Sequence, residues 1–182
     1  MLISPERSVL VVVDMQERLV PAMQAPARTI RNTRTLLAAA GELAIPALLT
    51  EQYPKGLGHT VPEVAKAAEG AGAAVIEKTH FSSQAEPAFA EAIAATGREQ
   101  AVITGMEAHI CVLQTAVGLM QAGYEVFVVT DATSSRTLES EKACLDRLQA
   151  LGAGIVTTEM VVFEWLGRAG TPAFRTLLPL IK

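Results

Sequence analysis

The chain has 182 residues, of which 50% are hydrophobic and 19% are charged, and its formal net charge is −4. This length and composition suit one domain with a sizeable core, and the acidic balance with scattered Lys and Arg residues argues against a nucleic-acid partner. Early charged residues, short apolar runs and only two cysteines predict a cytoplasmic protein with no signal peptide, membrane partner or disulfide framework.

Strand-like and helix-like segments alternate along the chain. Several of the strand-like runs are nearly continuous in Val, Ile, Leu and Ala, which is typical of parallel strands covered on both faces. The predicted strands span residues 8–13, 46–50, 73–78, 100–104, 125–130 and 154–157. We therefore predict one α/β domain over residues 1–182, a three-layer α-β-α fold around a six-stranded, mostly parallel, doubly wound sheet.

The helix predictions come from apolar periodicity and from end signals. Residues 26–44, 138–151 and 171–181 have helical patterns, and residues 108–122 are apolar on nearly every side before Gly123, which predicts a buried helix. The segments 60–63 and 83–86 fit a capping box, in which a hydroxyl and a carboxylate bond opposite amides at a helix start.

Chemically active residues follow three of the predicted strands. In open α/β sheets ligands bind beyond the carboxyl ends of the strands, and Asp14, Lys78 and Cys111 all lie there. Asp14 and Lys78 each have a structural alternative, as a helix cap and as a solvent-reaching lysine. Cys111 lies in the first turn of a buried helix, where amides and the helix dipole favour a thiolate, although a free cysteine is often a small buried hydrophobe. Cys144, in mid-helix among leucines, is assigned that role.

The sequence lacks the usual patterns of a nucleotide or metal site. No glycine follows the first strand, as a dinucleotide turn would need, and there is no phosphate loop. The three histidines, His59, His80 and His109, lie on separate segments without ligand spacing. We predict no metal and no cofactor.

Three motifs in order resemble those of the isochorismatase-like cysteine hydrolases. They are Val-Val-Val-Asp14-Met-Gln16, Glu77-Lys78-Thr-His-Phe81 and Thr-Gly105-Met-Glu-Ala-His-Ile-Cys111-Val, and the likeness extends to Thr130-Asp131-Ala-Thr. Thr50-Glu-Gln-Tyr-Pro-Lys-Gly-Leu-Gly-His59-Thr is similar to the branch of isochorismatase domain-containing proteins.

The resemblance implies an Asp14–Lys78–Cys111 triad for hydrolysis of a C–N bond, in an amide or carbamoyl compound, through a thioester. Cys111 would be the nucleophile, Asp14 the proton acceptor and donor, and Lys78 the group that keeps Asp14 ionised and helps the thiolate. The backbone amides of Glu107 and Cys111 would form the oxyanion hole, with a cis peptide at Met106–Glu107. The Glu107 side chain would be incidental or an ion-pair partner.

The resemblance leaves the substrate and the assembly open. Candidate substrate contacts are Gln16, Leu19, Tyr53, Phe81 and Ala108. Isochorismatases lack the cysteine, and the metal-binding histidine pair of nicotinamidases is absent from the loop after the second strand, so neither activity is expected. We expect a homo-oligomer, a dimer or an assembly of dimers, partly because residues 161–166 are strongly apolar.

Two other functions remain as alternatives. One is a non-catalytic or interaction protein that keeps this fold. The other is a thiol redox sensor in which Cys111 is oxidised, for which Cys144 is a poor resolving partner.

Overall fold

A six-stranded sheet with strand order β3-β2-β1-β4-β5-β6 is the centre of the computed structural model, which describes residues 2–181. All five strand pairs are parallel. The strands are β1 (Ser8–Val13), β2 (Ala47–Gln52), β3 (Ala74–Lys78), β4 (Gln100–Met106), β5 (Glu125–Ser134) and β6 (Gly154–Val156). The order reverses between β1 and β4, so a crevice is expected beyond their carboxyl ends.

Helices cover both faces of the sheet. They are α1 (Pro26–Glu42), α2 (Pro54–Leu57), α3 (Pro62–Gly70), α4 (Pro87–Ala95), α5 (Leu113–Gln121), α6 (Leu138–Ala150), α7 (Thr158–Leu166) and α8 (Pro172–Leu177). Alternate residues of β1 enter two separate cores: Leu10 and Val12 pack with α1, α3 and α7, whereas Val9 and Val11 pack with α4, α5 and α6. The predicted three-layer α/β fold is thereby confirmed.

Several boundaries differ from those predicted. β4 and β5 run further than expected, and their pairing register shifts between Ile103 and Gly105. The helix predicted from residue 108 begins as a π-helical turn, Ala108–Val112, and becomes α-helical only at Leu113. Both capping boxes were wrong, because Thr60 Oγ1 donates to Glu51 and Ser83 is bonded to Thr115 of α5.

The apolar segment 161–166 is helical, and its largest side chains are covered by the chain itself. Val161, Val162 and Trp165 are buried against α1 and the sheet, and Trp165 Nε1 donates to Ser8 Oγ at 3.0 Å. Only Phe163 of this segment is an exposed large apolar residue, at 41%. The segment therefore does not by itself support the expected oligomer. In the range 2–181 no helix combines the length and the apolar character that crossing a membrane requires.

Candidate active site

Asp14 lies immediately after β1 and is completely buried. Its backbone has a positive φ of 49°, and its amide donates to Thr50 O at 3.1 Å. Thr50 Oγ1 in turn donates to Asp14 Oδ1 at 2.7 Å. The chain thus turns sharply at the strand end, and the bond from Thr50 holds the carboxylate in one orientation. A carboxylate that only capped a helix would not need to be buried and held in this way.

Lys78, the last residue of β3, reaches across β2 to this carboxylate. Its Nζ lies 2.8 Å from Asp14 Oδ2, and neither side chain is exposed. The ammonium also donates to Gln52 Oε1 at 2.7 Å and to the carbonyls of His80 and Phe81 at 3.2 and 3.4 Å. The alternative of a lysine that extends into solvent was therefore wrong.

Cys111 lies in the π-helical turn after β4, beside this ion pair, and is 5% exposed. Burial raises the pKa of its thiol to about 12; the Asp14 charge and its hydrogen bond to the thiol act in the same direction, and Lys78 opposes them. Burial also raises the pKa of Asp14, against the lowering effects of Lys78, Thr50 and Cys111. The structure brings the three predicted catalytic residues together as a protonated thiol next to a buried carboxyl and a buried ammonium.

The peptide bond between Met106 and Glu107 is cis, which confirms the geometry expected from the resemblance. Gly105 precedes it with φ 118°, and a Cβ there would lie 2.0 Å from the carbonyl oxygen of Val13. Only glycine fits so close to β1. This turn sets the chain direction just before Cys111.

The Glu107 side chain is an ion-pair partner, as one of the two expectations stated. Its Oε2 lies 2.6 Å from Arg136 Nε, and the Arg136 side chain is 58% exposed. His109, two residues after Glu107, is bonded through Nδ1 to Ser135 Oγ at 2.9 Å. The two side chains therefore tie the segment before Cys111 to the end of β5.

The five predicted substrate contacts do not form one group. Tyr53 and Phe81 have exposed side chains, at 56% and 55%, and Leu19 is half-buried against the core. A cavity of about 270 Å³ adjoins Lys78 and is lined by Tyr53, Pro54, Lys55, Glu77, Lys78, Thr79 and Glu86.

Two of those five are corrected by the structure. Gln16 is fully buried, and both hydrogens of its amide are used, in bonds to the carbonyls of Gln52 and Gly58. Ala108 is also fully buried, and its carbonyl accepts a hydrogen bond from Cys144 Sγ at 3.0 Å. Neither residue offers surface to a substrate, because each supports the chain from within.

Gln52 and Thr50 were not among the predicted site residues, yet both contact the ion pair directly. Their position on the strand beside β1 is the signal that could have identified them, since register partners on adjacent strands share a face.

A metal ion is poorly served by the residues after β2. Glu51 accepts from Thr60 and is bonded to His59 Nδ1 at 2.9 Å. Burial acts to raise the pKa of Glu51, but these bonds outweigh it and lower that pKa, and the bond to Glu51 raises the pKa of His59. Across residues 2–181 no three or more His, Cys, Asp or Glu side chains cluster in a way that could hold a metal. The donors present do not fit the metal site of the nicotinamidase branch.

The chain is similar in sequence to members of one protein family. The isochorismatase domain family model matches residues 8–160. Isochorismatase domain-containing protein 1 of Danio rerio is 39% identical over 184 residues, covering 99% of this chain. The chain spans 62% of the length of that relative and of its Salmo salar counterpart.

Two solved structures share the whole fold. A Caenorhabditis elegans protein described as MAR1 ribonuclease has a TM-score of 0.92 and 35% identity, covering 100% of this chain and 92% of that one. The YcaC gene product of Escherichia coli, described as an octameric hydrolase of unknown specificity, has a TM-score of 0.92 and 25% identity, covering 99% and 90%.

Proposed function

This chain belongs to the isochorismatase domain family, and from that premise we propose that it is a cysteine-dependent hydrolase. Its substrate is a small amide or carbamoyl compound, and the bond it breaks is the C–N bond. The observation that carries the proposal is the buried contact of Lys78 Nζ with Asp14 Oδ2 beside the Cys111 thiol. Burying an ion pair has a desolvation cost that the attraction between its charges often does not offset. A buried ion pair beside a nucleophile is therefore better explained by a chemical role than by stability.

The first half of the reaction transfers the acyl group to sulfur. Cys111 Sγ attacks the carbonyl carbon while its proton moves to the Asp14 carboxylate, and the carbonyl oxygen becomes an oxyanion. The amides of Glu107 and Cys111 stabilise that oxyanion, each by about 3 kcal/mol. As the C–N bond breaks, the nitrogen takes the proton from Asp14, so ammonia or an amine leaves and a thioester remains.

The second half is hydrolysis of the thioester. Water attacks the acyl carbon and gives a proton to Asp14, and the C–S bond then breaks. The sulfur recovers the proton from Asp14, so the free acid leaves and Cys111 returns to its thiol form. Atoms and protons balance over the cycle, and one water is consumed.

Lys78 lowers the energetic cost of both proton transfers. When the thiol proton moves to Asp14, the negative charge moves from the carboxylate to sulfur, and the total charge around Lys78 is unchanged. One buried cation then stabilises whichever of the two groups is ionised. This is why the raised pKa of Cys111 in the resting site is compatible with its use as a nucleophile.

The alternatives predict different chemistry. A non-catalytic protein forms no covalent adduct with any amide, and a redox sensor forms a mixed disulfide at Cys111. Cys144 is held by its bond to the Ala108 carbonyl and is buried, which does not favour it as a resolving cysteine. The ribonuclease description of the nematode relative belongs to that protein, and the net charge of −4 here does not favour RNA.

The test is a screen of small amides, ureas and carbamoyl acids, read by ammonia release and by intact mass. We expect a subset to be hydrolysed and a slow substrate to leave an acyl adduct on Cys111. Cys111→Ala should lose both signals, while Cys144→Ala, a matched control on the same side of the sheet, should keep them. Hydrolysis by Cys111→Ala, or cleavage of RNA alone, would refute the proposal.

We also propose that the chain forms a homo-oligomer in the cytoplasm, built from dimers. The octameric description of the Escherichia coli neighbour supports an assembly, as do the exposed rings of Tyr53 and Phe81 beside the site. Light scattering at micromolar concentration measures the mass directly, and a monomer would contradict this proposal.

A further inference from the structure

Gln52 makes the shortest contact with the Lys78 ammonium. It is the last residue of β2 and the direct register partner of Lys78, so the two side chains leave neighbouring strands on the same face. Gln52 Oε1 accepts from Lys78 Nζ at 2.7 Å, compared with 2.8 Å for Asp14 Oδ2. Nothing in the proposed reaction cycle uses this glutamine.

The orientation of the Gln52 amide is fixed from both ends. Its Nε2 donates to Thr79 O at 2.9 Å, so its oxygen must face Lys78. Its backbone is held by the side chain of Gln16, whose Oε1 accepts from Gln52 N at 2.7 Å and whose Nε2 donates to Gln52 O at 3.0 Å. Two buried glutamines thus build a rigid neutral acceptor for the lysine.

The neutrality of this acceptor determines the charge available to the triad. Apart from Asp14 and the Cys111 thiol, the acceptors of Lys78 are uncharged oxygens, those of Gln52 and of the His80 and Phe81 carbonyls. A carboxylate in place of the amide would be a second permanent anion on one cation. That anion would oppose formation of the Cys111 thiolate by like-charge repulsion.

We propose that Gln52 is a positioning residue that holds Lys78 in place without neutralising it, so that the whole charge of Lys78 serves Asp14 and Cys111 in turn. The inference rests on the proposed Asp14, Lys78 and Cys111 triad. It concerns the tuning of that site, and it assigns to Gln52 no contact with the substrate.

Most other charged groups around the site are bonded elsewhere, and Lys55 and Glu77 line the cavity beside Lys78. Glu51 of β2 is bonded to His59 and Thr60, His80 to Glu86 after β3, Glu107 to Arg136 after β4, and Glu141 of α6 to Arg28. His109 is bonded to Ser135, and α5 (Leu113–Gln121) carries no charged residue. The charges that act on the Cys111 thiol are those of Asp14 and Lys78.

The test compares Gln52→Glu with Gln52→Met in the 182-residue chain. Both remove the bond to Thr79, and methionine keeps the shape without charge or acceptor. The matched control is Gln100→Met, because Gln100 is a buried, hydrogen-bonded glutamine at the opposite end of the sheet. The readout is the rate at which iodoacetamide alkylates Cys111 as a function of pH, with thermal melting as a check of folding.

In Gln52→Glu the pH dependence of Cys111 alkylation should shift to higher pH by about one unit. At a fixed pH this corresponds to labelling that is about tenfold slower. Gln52→Met should slow labelling without moving the profile, and Gln100→Met should change only the melting temperature. If Gln52→Glu does not fold, slower labelling of Gln52→Met supports the proposal and an unchanged rate overturns it. A folded Gln52→Glu with the wild-type profile also overturns it.

Alkylation needs no substrate, so this result is separate from the proposed function. If the protein hydrolyses no amide but Gln52→Glu shows the shifted profile, the role of Gln52 is supported and the hydrolase proposal is refuted. If the protein hydrolyses amides but Gln52→Glu has the wild-type profile, only the role of Gln52 is refuted.

Discussion

Lys78 Nζ and Asp14 Oδ2 lie 2.8 Å apart, and the side chains that carry them are both fully buried although they come from strands separated by β2. Burial raises the pKa of Asp14 in spite of the ammonium beside it. The desolvation cost of the Asp14 carboxylate therefore exceeds the stabilisation that Lys78 gives it, which is a common result for a buried ion pair. The pair is weak evidence for stability and stronger evidence for a chemical role.

Breaking the pair from one side should be costly. We predict that Asp14→Asn and Lys78→Met each lower the free energy of unfolding by about 3–5 kcal/mol, because each leaves a buried polar group without its partner. The double variant should be much more stable than the sum of the two losses implies. Urea unfolding of the four proteins measures the coupling, and additive losses would contradict this prediction.

The two cysteines should differ in reactivity although burial and pKa do not distinguish them. Cys111 and Cys144 are 5% and 3% exposed, and the pKa of each thiol is raised to about 12, first by burial. Cys111 is bonded to the buried Asp14 and Lys78 side chains, and the Lys78 charge favours its thiolate, whereas the Cys144 thiol donates to the Ala108 carbonyl. Iodoacetamide near neutral pH should therefore label Cys111 first, as read by peptide mass spectrometry. Asp14→Asn removes a charge that raises the pKa of Cys111, so Cys111 should be labelled faster still in that variant. Equal labelling of both thiols in the wild type would contradict this prediction.

The raised pKa of Cys144 predicts a loss of stability in alkaline solution. The folded thiol ionises at about 12 rather than 9.0, so between these values the unfolded state loses the proton first and is favoured by rising pH. The stabilisation is complete below about pH 9 and is lost as the pH rises toward 12. Cys144→Ala lacks the contribution of Cys144 to this dependence and keeps that of Cys111. The gap in unfolding free energy between wild type and variant should therefore narrow from pH 8 to pH 10.5, and a constant gap would mean that the folded thiol titrates normally.

The parallel sheet explains why the three catalytic candidates could be predicted from the sequence. Asp14, Lys78 and Cys111 each follow a hydrophobic strand, and the carboxyl ends of parallel strands meet at one edge. The sequence could not show that Lys78 crosses a whole strand to reach Asp14, because strand order is set by packing of distant segments. Gln52 was not predicted as a site residue for a related reason, because its contact with Lys78 depends on the pairing of β2 with β3.

Local structure was harder to predict where side chains from distant segments intervene. Thr60 fits a capping box by spacing, yet the buried carboxylate of Glu51 takes its hydroxyl hydrogen. Ala108 begins a π-helical turn, and apolar periodicity alone cannot separate that turn from an α-helix.

A chelator should leave the proposed hydrolysis unchanged. Glu51 and His59 after β2 are bonded to each other and to Thr60, and the proposed mechanism is covalent. Dialysis against an excess of EDTA, followed by rate and metal measurements, tests the point. A stoichiometric metal that leaves together with activity and restores it on return would contradict the mechanism.

Glu107 should matter through its backbone and very little through its side chain. In the proposed mechanism its amide contacts the oxyanion, whereas its carboxylate bonds Arg136, whose side chain is 58% exposed. An ion pair with one solvent-exposed partner contributes up to about 1 kcal/mol. Glu107→Gln keeps the amide and should keep most of the activity, with a loss of stability no larger than this.

Arg136→Gln is the matched control, because it removes the same ion pair from the other side without touching the segment before Cys111. If the carboxylate only anchors Arg136, the two variants should have similar rates and similar unfolding midpoints. A loss of activity in Glu107→Gln as large as that in Cys111→Ala, with Arg136→Gln fully active, would mean that the carboxylate itself acts on the reacting atoms. The oxyanion hole would then have to be built from other donors.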